Sequence, residues 1–454
     1  MNKDLAFKLT NLVLAVLLLS CAIAAVVSLL QKFYFPGVLL IFVAGLLLLA
    51  RRWSDYGRLA LLLLLLFVYG VAYVTNVVFI CTDKHGSTEL EEARLQAARQ
   101  LGRAYDARTP LQVTADLQAR GLEAVPVVYP FELLGRNGLK TAGGRLLPLA
   151  GISGKTTVYC NECGDYTIYQ ADEHGFNNPP GLWSGPPADL LLVGDSFCHG
   201  ACVPPGDDLG GLLRQAGHRV LNLGFGGDGP LLELGTLKEY AAAVRPKMVL
   251  WLYYEGNDLT DLNREEKCSF LTRYLETGFQ TQDLLHRQGE IDLALTGQLA
   301  AVQGAAKEER QPWYRHRILL ETLRSFQLKK LKLNLRVLWS HMEEYLFREH
   351  LHLLGRALAA AQGTVHSWGG TLYVVYLPSY HRYAGRAGTY PLNRRELVLA
   401  TVRGLGIPLI DFHPTLKALP DPRAMFPFGK DGHYTAAGYR LLARQILAAL
   451  PAMP

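Results

Sequence analysis

From residue 189 onward, short apolar runs alternate with segments of helical character, and no other feature constrains the fold of this chain as much. The runs are Asp189–Val193, Arg219–Leu223, Met248–Tyr254, Thr371–Leu377 and Pro408–Asp411. Such runs with helices between them are the pattern of a parallel sheet covered on both sides. In sheets of this kind sites gather at the carboxyl ends of the strands. The residues just after each run are therefore where chemistry is expected. Between the third and fourth runs the pattern predicts a mainly helical insertion at about 262–362.

Four short blocks stand after strand candidates or in the C-terminal turn. Gly194-Asp195-Ser196-Phe197 follows the first run. A serine at a strand-to-helix turn presents its hydroxyl at the sheet edge, though serine is also a common helix cap. Asn222-Leu223-Gly224-Phe225-Gly226-Gly227-Asp228-Gly229-Pro230 follows the second run. Its glycines let backbone N–H groups approach a ligand, or simply make a turn. Glu255-Gly256-Asn257-Asp258 follows the third. An Asn amide there can donate to a developing oxyanion or cap the next helix. Asp431-Gly432-His433 lies near the C-terminus, where a carboxylate two residues before a histidine can orient its ring or simply make a turn pair.

Together and in this order, the four blocks resemble those of the SGNH (GDSL-type) hydrolase superfamily, over residues 189–449 with the insertion between. The resemblance implies a flavodoxin-like three-layer α/β/α sandwich with a five-stranded parallel sheet. It implies Ser196 as nucleophile, His433 as general base and Asp431 as its orienting acid. The Ser196 N–H, the Gly227 N–H and the Asn257 side chain would form the oxyanion hole. No cofactor or metal is implied. Many members separate the last pair by two residues; here only Gly432 intervenes. That spacing resembles polysaccharide O-acetylation relatives, so acyl transfer stands open beside hydrolysis.

The first 84 residues have another character. Leu9–Leu30, Phe33–Ala50 and Leu59–Thr82 carry no charge and are 22, 18 and 24 residues long. About 20 apolar residues of helix cross a ~30 Å hydrocarbon core, so three transmembrane helices are expected. Lys3, Lys8, Arg51, Arg52 and Arg58 fall on one side and Lys32 on the other. The positive-inside rule then places residue 83 onward outside the cytoplasm, with the lipid bilayer as a partner. The lipoprotein-like Leu18-Leu19-Ser20-Cys21 is weaker, since the apolar run continues past Cys21.

Residues 85–188 read as a prelude of mixed helix and short strands before the segment 189–454. It comprises a polar helix at Thr88–Tyr105, strands and turns over Thr141–Gln170, and a loop at Asn177–Gly181. Charge excludes nucleic acid as a partner: of the net +6, residues 1–82 carry +4 and the remaining 372 residues only +2. Arg315–Arg336 holds seven basic residues and one acid. It reads as a helix solvating its lysines, with a membrane-surface helix or a strand as alternatives.

Seven cysteines are present. Cys160-x-x-Cys163 and Cys198-x-x-x-Cys202 make an imperfect pair of zinc knuckles, and outside the cytoplasm disulfides are expected instead. Pairing within either motif would close a small ring or distort the serine turn. A bridge between the motifs is therefore expected, Cys160–Cys202 first, with Cys163–Cys198 beside it. The functional expectation is a membrane-anchored extracytoplasmic esterase acting on a carbohydrate or lipid ester. The alternatives are an O-acyltransferase modifying an exopolysaccharide and a non-catalytic polysaccharide-binding or assembly protein of the same fold.

Overall fold

The computed structural model describes residues 7–19, 34–276, 278–279, 281–308, 340–389 and 391–451. The chain divides into two units, one within residues 1–85 and one made of Gly86–Pro312 and Trp339–Pro454.

In the first unit, residues 7–19 are helical, and two further helices begin there: α1 (Tyr34–Ala50) and α2 (Asp55–Gln100). Among the described residues no helix is long and apolar enough to cross a membrane. At 17 residues α1 spans about 26 Å, a little short of a ~30 Å hydrocarbon core. The first expected span, Leu9–Leu30, runs into residues outside the description. The third, Leu59–Thr82, lies within the 46 residues of α2, and there the side chains of 72–88 are outside the description.

The second unit is built on a five-stranded sheet. Its strands are β1 (Leu190–Gly194), β2 (Val220–Asn222), β3 (Met248–Tyr254), β4 (Thr371–Leu377) and β5 (Leu409–Asp411). Their spatial order is β5-β4-β3-β1-β2, and every pairing is parallel. Strand side chains alternate between faces, so each apolar run feeds two cores. Leu191, Val193, Val249, Trp251 and Val374 pack with the helices α5 (Pro230–Thr236), α8 (Ser340–His366) and α9 (Arg395–Gly404). Leu190, Leu192, Leu250, Leu252 and Val375 pack on the other face with α4 (Leu209–Gln215) and α10 (Ala436–Ala449). The result is a three-layer arrangement with all five strand ends on one edge.

Short helices leave that edge directly after β1 and β3: α3 (Ser196–His199) and α6 (Asp258–Glu265). The region between β3 and β4 is helical where described, with α6, α7 (Gln288–Glu308) and α8. The basic stretch Arg315–Arg336 lies outside the described residues.

The segment expected as a prelude belongs to the same body as the sheet. It holds a small sheet of Ala124–Pro126, Thr156–Val158 and Ile168–Gln170, and a hairpin of Leu139–Thr141 with Gly144–Leu146. Its Leu147, Leu149, Ile152 and Phe176 are buried in the core that contains β1. Asn178, in the expected loop, donates its amide to Asp172 and to the Asn222 carbonyl, both at 2.8 Å. The prelude is thereby fastened to the end of β2.

Candidate active site

Asp195 caps α3, accepting the Phe197 N–H at 2.9 Å, and so sets Ser196 at the first position of a buried turn. The Ser196 Oγ lies 2.7 Å from His433 Nε2. The far side of that imidazole meets a carboxylate, and its source corrects the sequence reading. Glu162 Oε2 is 3.0 Å from His433 Nδ1 and 2.7 Å from the His433 backbone nitrogen. Asp431 instead turns its carboxylate to His381 Nε2 at 3.0 Å. The physical reason is occupancy. The space beside Nδ1 is filled by Glu162, while the Asp431 carbonyl is drawn to Arg94 Nη2.

Arg94, buried on the last turns of α2, also pairs with Glu162 Oε1 at 3.0 Å. One guanidinium thus fixes the carboxylate and the histidine loop together. Gly432 is required by this closeness: a Cβ there would stand 2.6 Å from both Arg94 Nη2 and Glu162 Oε2.

The electrostatics follow. Burial opposes ionisation of Glu162, but the adjacent His433 and Arg94 outweigh it and hold the carboxyl at about 2. Burial opposes protonation of His433, and Glu162 overrides it, so the imidazole pKa is raised. An ionised Glu162 can only accept, so Nδ1 carries the proton and Nε2 is free to accept from the Ser196 hydroxyl. Asp195 is pushed up to about 6 by burial, with the Phe197 N–H, His433, Ser196 and Asn257 pulling the other way.

The other two expected residues sit after the two strands that flank β1. Gly227 follows β2 with φ +79°, in the left-handed region, and Phe131 occupies the place a side chain would need. Asn257 precedes α6, and its amide donates to Asp261 Oδ2 at 2.8 Å. The Gly227 loop is braced by a residue the motif reading did not single out. Buried His199, three residues beyond Ser196, accepts the Gly226 N–H at Nδ1 (3.0 Å). Its Nε2 therefore donates to the Tyr169 hydroxyl at 2.8 Å. Burial lowers the His199 pKa to about 3, so it stays neutral and keeps this pattern.

A disulfide joins Cys160 to Cys202, with Cα atoms 5.2 Å apart. It ties the loop carrying Glu162 to the loop after α3. The second expected bridge does not form: Cys163 and Cys198 are free. The Cys198 thiol, fully buried, points to Asn222 Oδ1 at 3.2 Å and is held there. Burial pushes the Cys163 thiol up to about 11. Among the described residues, the Glu162, Cys202 and His433 ligand atoms lie within 4.8 Å of one another, the one cluster close enough for a metal. With Cys202 in a disulfide and His433 facing Ser196, these residues do not fit one.

No family model matches the sequence. No curated protein matches it either. The fold is similar to solved structures of low identity. A protein described as lipolytic, of the G-D-S-L family, from Desulfitobacterium hafniense DCB-2 is 12% identical; the match covers 57% of this chain and 98% of that one, with a TM-score of 0.33. A lipase/acylhydrolase from Enterococcus faecalis is 14% identical over 57% and 93%, TM-score 0.31. An acetylxylan esterase from Geobacillus stearothermophilus, solved as a catalytic mutant, is 14% identical over 60% and 97%, TM-score 0.30. At these values nothing about this chain's chemistry follows from the likeness, and the site geometry stands by itself.

Proposed function

We propose that this chain is a serine esterase of the SGNH type, acting on an ester of a carbohydrate or a lipid through Ser196, His433 and Glu162. The observation that carries the reading is the unbroken line from the Ser196 Oγ through the His433 ring to an ionised Glu162 held by Arg94.

In the first step Ser196 Oγ attacks the ester carbonyl while His433 Nε2 takes its proton. Glu162 stabilises the imidazolium so formed. The oxyanion is met by the Ser196 and Gly227 N–H groups and the Asn257 amide. Collapse expels the alcohol, which takes the proton from Nε2. Water then attacks the acyl-enzyme with His433 again as base, and Ser196 recovers its proton as the acid leaves. A sugar hydroxyl in place of water would make the same site an O-acyltransferase.

The finer reading is a membrane-anchored enzyme working outside the cytoplasm. It is supported by the uncharged stretches of the first unit and by their exposed apolar side chains, among them Phe67 at 69%, Leu19 at 62% and Leu12 at 61%. The Cys160–Cys202 disulfide accords with an oxidising compartment. Release of acetate from a chromogenic ester, with and without a sugar acceptor, tests the chemistry. Turnover in water alone supports the esterase, turnover only with acceptor supports the transferase, and turnover unchanged in Ser196→Ala contradicts both.

A further inference from the structure

We infer that Arg264 is a positioning residue for the oxyanion-binding groups, clamping the Gly227 loop and the Asn257 amide into one frame; this rests on the esterase reading above. α6 begins directly after Asn257, and residues three apart share a helix face, so Asp261 and Arg264 project together. Asp261 uses both oxygens. Oδ2 accepts the Asn257 amide at 2.8 Å, and Oδ1 lies 3.2 Å from Arg264 Nη2. The same Nη2 donates to the Gly227 carbonyl. The guanidinium stacks 4.4 Å above the Phe131 ring, the ring that fills the side-chain space of Gly227.

The peptide carrying the Gly227 N–H thereby lies between two fixed neighbours. The preceding peptide is held by Gly226 N–H on His199, and the following one by Gly227 C=O on Arg264. The Asn257 donor is tied to the same guanidinium through Asp261. Stabilisation of an oxyanion depends on donors fixed before charge develops. One cation therefore sets the spacing of donors that come from loops after two different strands. A lysine could pair with Asp261 as a point charge. It lacks the planar fork that meets a carboxylate and a carbonyl while stacking on a ring.

The test measures kcat and KM for p-nitrophenyl acetate in the wild type, Arg264→Ala, Arg264→Gln and Arg264→Lys, with active sites counted by a fluorophosphonate that labels Ser196. Arg264→Ala and Arg264→Gln are expected to lose about 100-fold in kcat with KM within about threefold. Guanidinium at sub-denaturing concentration should restore about tenfold of the loss in Arg264→Ala, where sodium chloride at equal ionic strength restores none. Arg264→Lys should remain impaired. A folded Arg264 variant with a lower melting temperature, but with kcat per titrated site within about twofold of wild type, would overturn the inference and leave the esterase standing. A wild type whose Ser196 takes no label would overturn the esterase reading, and the inference with it.

Discussion

One oxygen of Glu162 serves two groups of His433, lying 3.0 Å from the ring Nδ1 and 2.7 Å from the backbone nitrogen. A carboxylate in that position fixes the ring, its tautomer and the loop that carries it. Arg94 pairs with the other oxygen and, together with His433, keeps the carboxylate ionised. The His433 ring is therefore oriented by a residue 271 positions earlier in the chain.

Removing that charge should cripple the reaction without unfolding the protein. Glu162→Gln keeps the shape but makes the side chain a poor partner for a protonated Nδ1. A loss of about 10³–10⁴-fold in kcat is expected. Asp431→Asn, whose carboxylate faces His381, should cost less than about tenfold. Steady-state rates of the two variants side by side check this, and a reversed order would return the role to Asp431.

The pH profile should carry the same signature. Turnover needs neutral His433, whose pKa is raised by Glu162, so kcat/KM should fall as pH drops through a value above 6.5. In Glu162→Gln that limb should move to lower pH, although the rate is smaller throughout. For stability the sign is set by the depressed carboxyl. Glu162 titrates at about 2 when folded against 4.5 for the free group. Its contribution is complete above pH ~4.5 and lost as pH falls toward ~2. Denaturant titrations of wild type and Glu162→Gln should therefore converge between pH 5 and 2.

Much of this fold was legible in the chain. The five strands lie within a residue of the apolar runs, because a sheet buried on both faces demands uninterrupted apolar residues. Ser196 and His433 could be read because each sits in a local turn. Glu162 could not, since nothing local marks a carboxylate that reaches its partner across 271 positions. The signal available was its place between Cys160 and Cys163, beside a cysteine expected to be bridged toward the serine loop. Arg94 was hidden for the same reason, lying in a stretch read as a polar helix. The Asp431 assignment failed because spacing along the chain does not show which carboxylate reaches a ring first.

The disulfide should matter to rate as well as to stability. Cys160 and Cys202 are 42 positions apart, and the chain-entropy model gives about 4 kcal/mol for a loop of that length. Cys202→Ser should lower unfolding stability by up to about that amount. Because Cys160 stands two residues before Glu162, kcat should fall in the folded variant too. Urea unfolding and initial rates of wild type and Cys202→Ser check both parts, and an unchanged rate would separate the bridge from the positioning of Glu162.

Gly432 offers a steric test of the packed site. A methyl group there would stand 2.6 Å from Arg94 Nη2 and Glu162 Oε2, so Gly432→Ala should force the pair apart. The expected outcome is a kcat reduced toward that of Glu162→Gln, with the secondary structure retained by circular dichroism. Full activity in Gly432→Ala would mean that the close approach is not needed.

The most direct measurement of the central claim is the rate at which a fluorophosphonate labels Ser196, followed by peptide mass spectrometry. The account predicts a single adduct on Ser196 in the wild type and none in His433→Ala. Labelling should be about 10³-fold slower in Glu162→Gln and close to the wild-type rate in Asp431→Asn. No adduct on Ser196 in the wild type, or equal labelling rates in the wild type and Glu162→Gln, would contradict it.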